Sequence, residues 1–308
     1  MTQAQTKKQI WPQLMMVAAT VIWGSSFLLM SQAVDNIPVF FLLAVRFTLG
    51  TGVLALVFWT RWKNLDWAAV KGGAVLGVLM QTAYIFQTYG LKDLSFSQGT
   101  TPGKNAFFTA VYCILVPFLV WLFFKKRPDV YNVAAAVLCL SGIGLVSLGG
   151  EFGIVGGDIL TILGGVMFAL HIIMVPRYAQ RSDVILLTIL QFATMALLSW
   201  LGVLLTGQAM PLTAIAPENW LRIGYLAVFA TALAMLFQNV GQAHTAPATA
   251  AVLLSLEAPF GVLFSVLFGT ERPTLAMYCG FGLIFLAILV SETKLAFLPH
   301  RKKFEKRG

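Results

Sequence analysis

The sequence predicts an all-α integral membrane protein of ten transmembrane helices, arranged as two inverted five-helix repeats (5+5). Three observations carry this. Of 308 residues, 58% are hydrophobic and only 11% charged, with a mean hydropathy of +0.83; a soluble domain carries about twice that charged fraction. The apolar residues come in blocks long enough to span ~30 Å of hydrocarbon as helices of roughly 20 residues. The second half of the chain echoes the first at an offset near 145 residues.

The blocks are continuous and lack the period-two alternation of a barrel strand, so they read as helices. Ten spans follow, at about 13–33, 38–60, 71–91, 103–124, 131–149, 157–176, 184–206, 220–240, 247–269 and 274–292. The first block follows Lys7 and Lys8 as a signal peptide would. It runs on for about twenty residues through Trp23 without a small-x-small cleavage site, and reads as an uncleaved first helix. Connections are short; the longest, 207–219, contains Gly207, Pro211 and Pro217. Cys113, Cys139 and Cys279 all fall in apolar blocks without C-x-x-C spacing, so neither a disulfide framework nor a metal site is expected. No cofactor motif is visible, and the lack of a P-loop pattern argues against ATP-driven transport within this chain.

Loop charge sets the expected orientation. Of the 21 Lys and Arg residues, 16 fall on the side that carries the N-terminus: Lys7, Lys8, the 61–71 segment, Lys125–Arg127, Arg177, Arg181 and the C-terminal tail. Four, Lys92, Lys104, Arg222 and Arg272, fall on the other side, and Arg46 lies within a span. By the positive-inside rule both termini are cytoplasmic, and the expected location is a bacterial-type inner membrane. Topology thus accounts for the net charge of +9, which in a soluble protein would suggest a nucleic-acid partner. Seven tryptophans lie near span ends, where amphipathic rings favour the headgroup layer; Trp23, at mid-span, is the exception.

The repeat is legible residue by residue. The run Val39–Phe47 aligns with Val184–Phe192, Trp23 with Phe168, Ser26 with His171, and Arg127-Pro128 with Arg272-Pro273. Slightly different offsets pair Phe86-Gln87 with Phe237-Gln238 and Pro117 with Pro259. Five spans per repeat is an odd number, so the second repeat enters the membrane inverted, a recurring transporter design. The expected organisation is a cytoplasmic N-terminus (1–12), a first repeat (13–149), a second repeat (157–292) and a basic cytoplasmic tail (293–308).

These residues resemble the drug/metabolite transporter superfamily, specifically its EamA family. Trp23-Gly24-Ser25-Ser26-Phe27 resembles the first-helix W-G-x-x-F, and Arg46-Phe47 the second-helix R-F. Leu256-Glu257-Ala258-Pro259 resembles the L-E-P-V stretch with Ala258 inserted, and Gly269-Thr270-Glu271-Arg272 the G-E-x helix ending. Lys125-Lys126-Arg127 stands where the first repeat often has its own G-E. The resemblance covers residues 13–292. It implies a central cavity lined by helices 1, 3, 4, 6, 8 and 9, and substrates among amino acids, metabolites, nucleotide sugars and drugs.

Ionisable groups inside lipid are costly and usually face a cavity or a partner. Glu257 in helix 9 and His171 in helix 6 are the candidates for proton coupling: burial favours the neutral form of a carboxyl group, and imidazole is the side chain suited to switching near neutral pH. For each, a hydrogen-bonded structural role stands beside the functional one. Arg46, some 12 Å into helix 2, reads as a structural bridge on a peripheral helix. Candidate cavity residues are Trp23, Ser26, Tyr84, Gln87, Asn105, Tyr112, His171, Gln238 and Glu257. Gln81 is placed on the face of Tyr84 and Gln87, Lys104 and Thr109 beside Asn105, and Asn239 and Gln242 beside Gln238. Polar residues of this kind also serve as interhelical glue. Pro117 and Pro259 are candidate helix kinks.

The function expected is secondary transport, in the export direction, of small polar or amphipathic metabolites such as amino acids, by alternating access around a mid-membrane cavity. The partners are the solute, the lipid bilayer and protons. The competing readings are an integral membrane enzyme and a lipid-flippase-like partner subunit. No clustered carboxylates or nucleophile set supports the enzyme, since Asp66, Asp129 and Asp183 are scattered loop singles.

Overall fold

The computed structural model describes residues 3–92, 99–100, 102–147, 154–267, 272 and 274–294. The described residues form ten membrane-spanning segments: α1 (Gln3–Val34), α2 (Val39–Val57), α3 (Trp67–Leu91), α4 (Pro102–Thr109 and Tyr112–Phe124), α5 (Val130–Ser147), α6 (Gly156–Ala179), α7 (Val184–Thr206), α8 (Pro217–Ala243), α9 (Pro247–Leu254 and Glu257–Leu267) and α10 (Leu275–Thr293). Eight are long and apolar enough to cross a bilayer. The other two, α5 and α10, are apolar over the shorter stretches Val130–Leu145 and Leu275–Ser291. The motif residues 269–271 and the tail beyond Lys294 lie outside the described residues.

Local chemistry explains the boundaries. The Asp66 side chain accepts from the Ala69 N–H at 2.7 Å and caps α3. Asp183 accepts from Ile185 and Leu186 at 2.9 and 3.3 Å and caps α7. Each satisfies backbone donors that a helix start leaves orphaned. The loop carboxylates therefore serve the fold. Gly207, at φ +66°, ends α7 in the left-handed conformation that glycine adopts without strain. The span expected to reach residue 60 stops at Val57 and passes into a 3₁₀ turn, Trp59–Asn64.

The two sets of five helices interleave. α1 packs on α8 and α9, α2 on α7 and α8, α3 on α6 and α7, α4 on α6, and α5 on α10. Each principal partner thus belongs to the other set. Lipid supplies no hydrophobic drive between helices, so close approach depends on small residues. On α3, Gly73 and Gly77 lie against Leu190 and Thr194 of α7. Gly24 on α1 lies against Phe260 and Gly261 of α9.

Two contacts mark the pseudo-two-fold axis. Phe47 stacks on Phe192 with ring centroids 6.3 Å apart, and the Tyr112 hydroxyl donates to Glu257 Oε1 at 3.3 Å. In both pairs the residues are 145 apart, the offset at which the repeats align. Equivalent residues of two inverted halves can touch one another only where the relating axis passes between them.

Helices 4 and 9 are both broken, at 110–111 and 255–256. The same tightened turns mark each break: Val111 N–H bonds to Phe108 O and Cys113 N–H to Ala110 O, as Leu256 N–H bonds to Leu253 O and Ala258 N–H to Ser255 O. These three-residue closures match one for one at the 145 offset. The breaks precede the prolines. Pro259 sits in the first turn of its half-helix, where a missing N–H costs little; Pro117 sits in the interior of Tyr112–Phe124.

Candidate functional site

The breaks place Tyr112 and Glu257 at the first positions of two half-helices, facing one another across the axis. Glu257 is 7% exposed and Tyr112 3%. Around them opens a cavity of about 660 Å³ of empty space, its open mouth included. From Met30 and Leu91, near the bundle end that carries residues 35–38, it reaches down to Ile172, Leu254 and Gln238.

Trp23, Tyr84 and Phe168 form the aromatic walls. Trp23 is held by its indole N–H, which donates to Ala230 O at 2.7 Å. Ala230 belongs to a π-helical stretch, Leu226–Leu233, in the middle of α8. Widening the turn to i→i+5 disturbs the regular carbonyl ladder, and such bulges recur at functional sites. The neighbouring Thr231 accepts from Arg46 Nε at 2.6 Å. One irregular turn of α8 thus anchors a cavity residue from α1 and another from α2. Tyr84 packs edge-on against both Phe47 and Phe168, at 5.4 and 5.6 Å between centroids, which fixes its ring.

The polar wall lies on α3 and α4. Gln87 Nε2 donates to Thr109 Oγ1 at 3.0 Å, and Asn105 Nδ2 donates to Gln87 O and Thr161 Oγ1 at 3.1 and 2.8 Å. Ser26 lines the cavity from α1.

The structure thus brings Trp23, Ser26, Tyr84, Gln87, Asn105, Tyr112, Gln238 and Glu257 to one cavity. His171 is placed elsewhere. It is fully buried, and its Nε2 lies 3.2 Å from Gln191 Oε1, which also accepts from Asn239 Nδ2 at 3.2 Å; Asn239 in turn donates to Thr188 at 2.9 Å. This chain of bonds ties α6, α7 and α8 together beside the cavity. Its neighbour Ile172 takes the wall position one residue further round the helix. Asn239 and Gln242 likewise lie outside the wall. Gln81 faces α7, donating to Ser199 Oγ at 2.8 Å. It stands six residues from Gln87, about 120° round the helix, so the two cannot share a face.

Two functional features were not read from sequence. Arg46, expected at the periphery, is a cavity residue only 3% exposed. The signal was available: an arginine within an apolar span seeks an interior partner. Asp158 forms a buried ion pair with Lys104 at 3.2 Å and accepts from Thr100 Oγ1, joining the starts of α4 and α6. Lys104 therefore serves this tie and does not line the cavity. The signal was an acid in the first turn of a helix, where it also accepts from Val155 N–H.

The fold and cavity define a polytopic membrane protein that holds a partly polar chamber on the axis between two inverted halves. The EamA-like transporter family model matches twice, over residues 10–148 and 155–293. The chain belongs to that family, and it is a membrane transporter. An uncharacterized transporter of Archaeoglobus fulgidus is 32% identical over 95% of this chain and 89% of its own length. A probable biotin transporter of Pseudomonas aeruginosa is 26% identical, covering 88% and 93% respectively. A solved crystal structure, 19% identical, superposes with a TM-score of 0.76 over 94% of this chain and 98% of that one, a likeness of fold alone.

Proposed function

We propose that the protein is a secondary transporter of small amphipathic metabolites, working by alternating access about the axis between its repeats. The observation that carries this reading is the Tyr112–Glu257 contact. Two broken helices, one from each half, start their second segments at the same point in the cavity. Discontinuous helices meeting at a repeat interface near mid-membrane are the recurring binding-site construction of such transporters. Each break is a place where a half-helix can tilt without breaking regular hydrogen bonds. The 16-to-4 charge asymmetry supports cytoplasmic termini in a bacterial-type inner membrane. In that orientation the cavity reaches toward the outside, while the His171–Gln191–Asn239 network lies on the cytoplasmic side. The direction proposed is export.

Glu257 is the proton-coupling group in this reading. Among the described residues it is the only carboxylate lining the cavity, and the one hydrogen bond they give it comes from the Tyr112 hydroxyl. A solute arriving beside it changes the electrostatic cost of its charge, which links proton and solute occupancy. The P. aeruginosa relative, by its name, carries biotin; an amphipathic monocarboxylate of that kind fits the proposed substrate class.

The test is solute flux in proteoliposomes under an imposed pH gradient, comparing wild type, Glu257→Gln and Ser26→Trp. Wild-type flux follows the gradient. Ser26→Trp fills the cavity and abolishes flux. Glu257→Gln retains exchange of internal for external solute and loses its response to the gradient. If Glu257→Gln abolishes exchange as well, Glu257 binds solute and does not couple. Flux that survives Ser26→Trp sinks the cavity as the transport route.

A further inference from the structure

Arg46 is a charged group facing the cavity whose chemistry is left incomplete. The residue is 3% exposed and sits seven residues beyond the start of α2. The acceptors it meets are all neutral. Nε donates to the Thr231 hydroxyl at 2.6 Å, and one terminal nitrogen lies 3.8 Å from the Met30 thioether, a weak acceptor. The cation also stands over the rings of Tyr84 and Phe47, at 4.9 and 5.5 Å. Among the described residues no carboxylate pairs with it, although Glu257 lines the same cavity.

Ring faces and neutral acceptors offset only part of the cost of burying a charge. A buried cation normally has an anion, and this one lines the cavity. Arginine's planar fork matches a carboxylate in two parallel hydrogen bonds. The walls beside it, Trp23, Tyr84 and Phe168, are flat and apolar. Glu257 is the wrong sign for a second anionic group at that depth.

We infer that Arg46 is the substrate anchor, and that the cavity selects monocarboxylates with an apolar or aromatic body. This rests on the reading of the cavity as the transport site and adds the substrate's charge and the residue that reads it. The bridge from α2 to Thr231 is then a positioning device. It fixes Nε and holds the side chain in the cavity wall.

The experiment measures ligand-induced stabilisation and equilibrium binding on the purified full-length protein at pH 7. The probes are biotin, phenylacetate, indole-3-acetate, L-phenylalanine and L-tryptophan, each beside its primary amide. Wild type binds at least one acid, and its amide about 10-fold or more weakly, the loss expected when a charge-assisted hydrogen bond goes. Arg46→Gln, still melting cooperatively, binds that acid about 10- to 100-fold more weakly with the amide unchanged, so discrimination disappears. Arg46→Lys keeps the preference for acid over amide at reduced affinity. Should Arg46→Gln fail to fold, the wild-type and Arg46→Lys comparison decides. Amides binding as tightly as acids, acids failing to bind, or Arg46→Gln discriminating as wild type does would each overturn the inference. Binding of neutral or cationic solutes that Ser26→Trp removes defeats the monocarboxylate assignment alone; acid binding that survives Ser26→Trp defeats the underlying reading of the cavity.

Discussion

Two glycines face each other where α1 crosses α9, and they are expected to respond oppositely to the same change. A Cβ on Gly24 would stand 2.6 Å from Phe260 Cβ and 2.8 Å from the backbone nitrogen of Gly261. The obstacles are backbone and Cβ atoms, which no rotamer change can move aside. Restoring ordinary contact near 3.6 Å requires the helices to part by about 1 Å. Overpacking of that kind costs about 1–3 kcal/mol. For a chain of this length that is a fall of roughly 2–5 °C in apparent Tm. A Cβ on Gly261 has its nearest neighbour, Gly24 O, at 3.6 Å, already an ordinary contact. Gly261→Ala should therefore leave Tm unchanged or raise it by the small gain in helix propensity. Thermal unfolding of the detergent-purified protein, followed at one scan rate, compares the pair. Because Trp23 adjoins Gly24 and Glu257 lies one turn before Phe260, the displacement falls on the cavity wall. Gly24→Ala should lower solute flux in proteoliposomes more than its Tm suggests. Equal melting of Gly24→Ala and wild type, or selective loss of stability in Gly261→Ala, would refute the packing argument.

Other outcomes follow from the buried and surface polar groups. Asp158→Asn breaks the buried ion pair with Lys104, whose side chain is 9% exposed, and should cost about 3–5 kcal/mol in unfolding; the double change with Lys104→Met should recover most of the lost Tm. His171→Ala removes one bond of a buried network and should cost about 1–3 kcal/mol, while the KM for transported solute stays at the wild-type value, as expected of a group outside the cavity. Asp129 is held below its ordinary 3.8 chiefly by its hydrogen bond from Lys294, with the Tyr131 N–H adding and burial opposing. A lowered folded-state value means the stabilisation is present above pH 3.8 and is lost as pH falls through the folded value. The contact is short, 2.5 Å, but the two side chains are 54% and 30% exposed, so solvent screening keeps its worth below about 1 kcal/mol. Asp129→Asn should lower Tm by no more than roughly 2 °C at pH 7 and converge with wild type as pH falls below the folded value.

The sequence by itself determined the class of fold, the helix count, the inverted repeat and most of the cavity. These rest on properties that act locally or add along the chain. Apolar block length reports a span, and five spans per repeat dictate inversion. An offset of 145 pairs Phe47 with Phe192 and predicts equivalence before any contact is known. Seven tryptophans placed at span ends are all exposed in the structure, and Trp23 alone is buried. What only the tertiary structure decided is which face of each helix meets the axis. His171 and Ile172 are neighbours in sequence, yet one ties three helices together and the other lines the cavity, because one residue step turns a helix by about 100°. Arg46 became a cavity residue because a π-helical turn in α8 presents Thr231 to it, a change of hydrogen-bond register for which the composition of Leu226–Leu233 offers no signal. The breaks at 110–111 and 255–256 were likewise hidden. They lie ahead of the prolines in sequence that reads as continuous helix, where two half-helices from opposite repeats begin at one point on the axis.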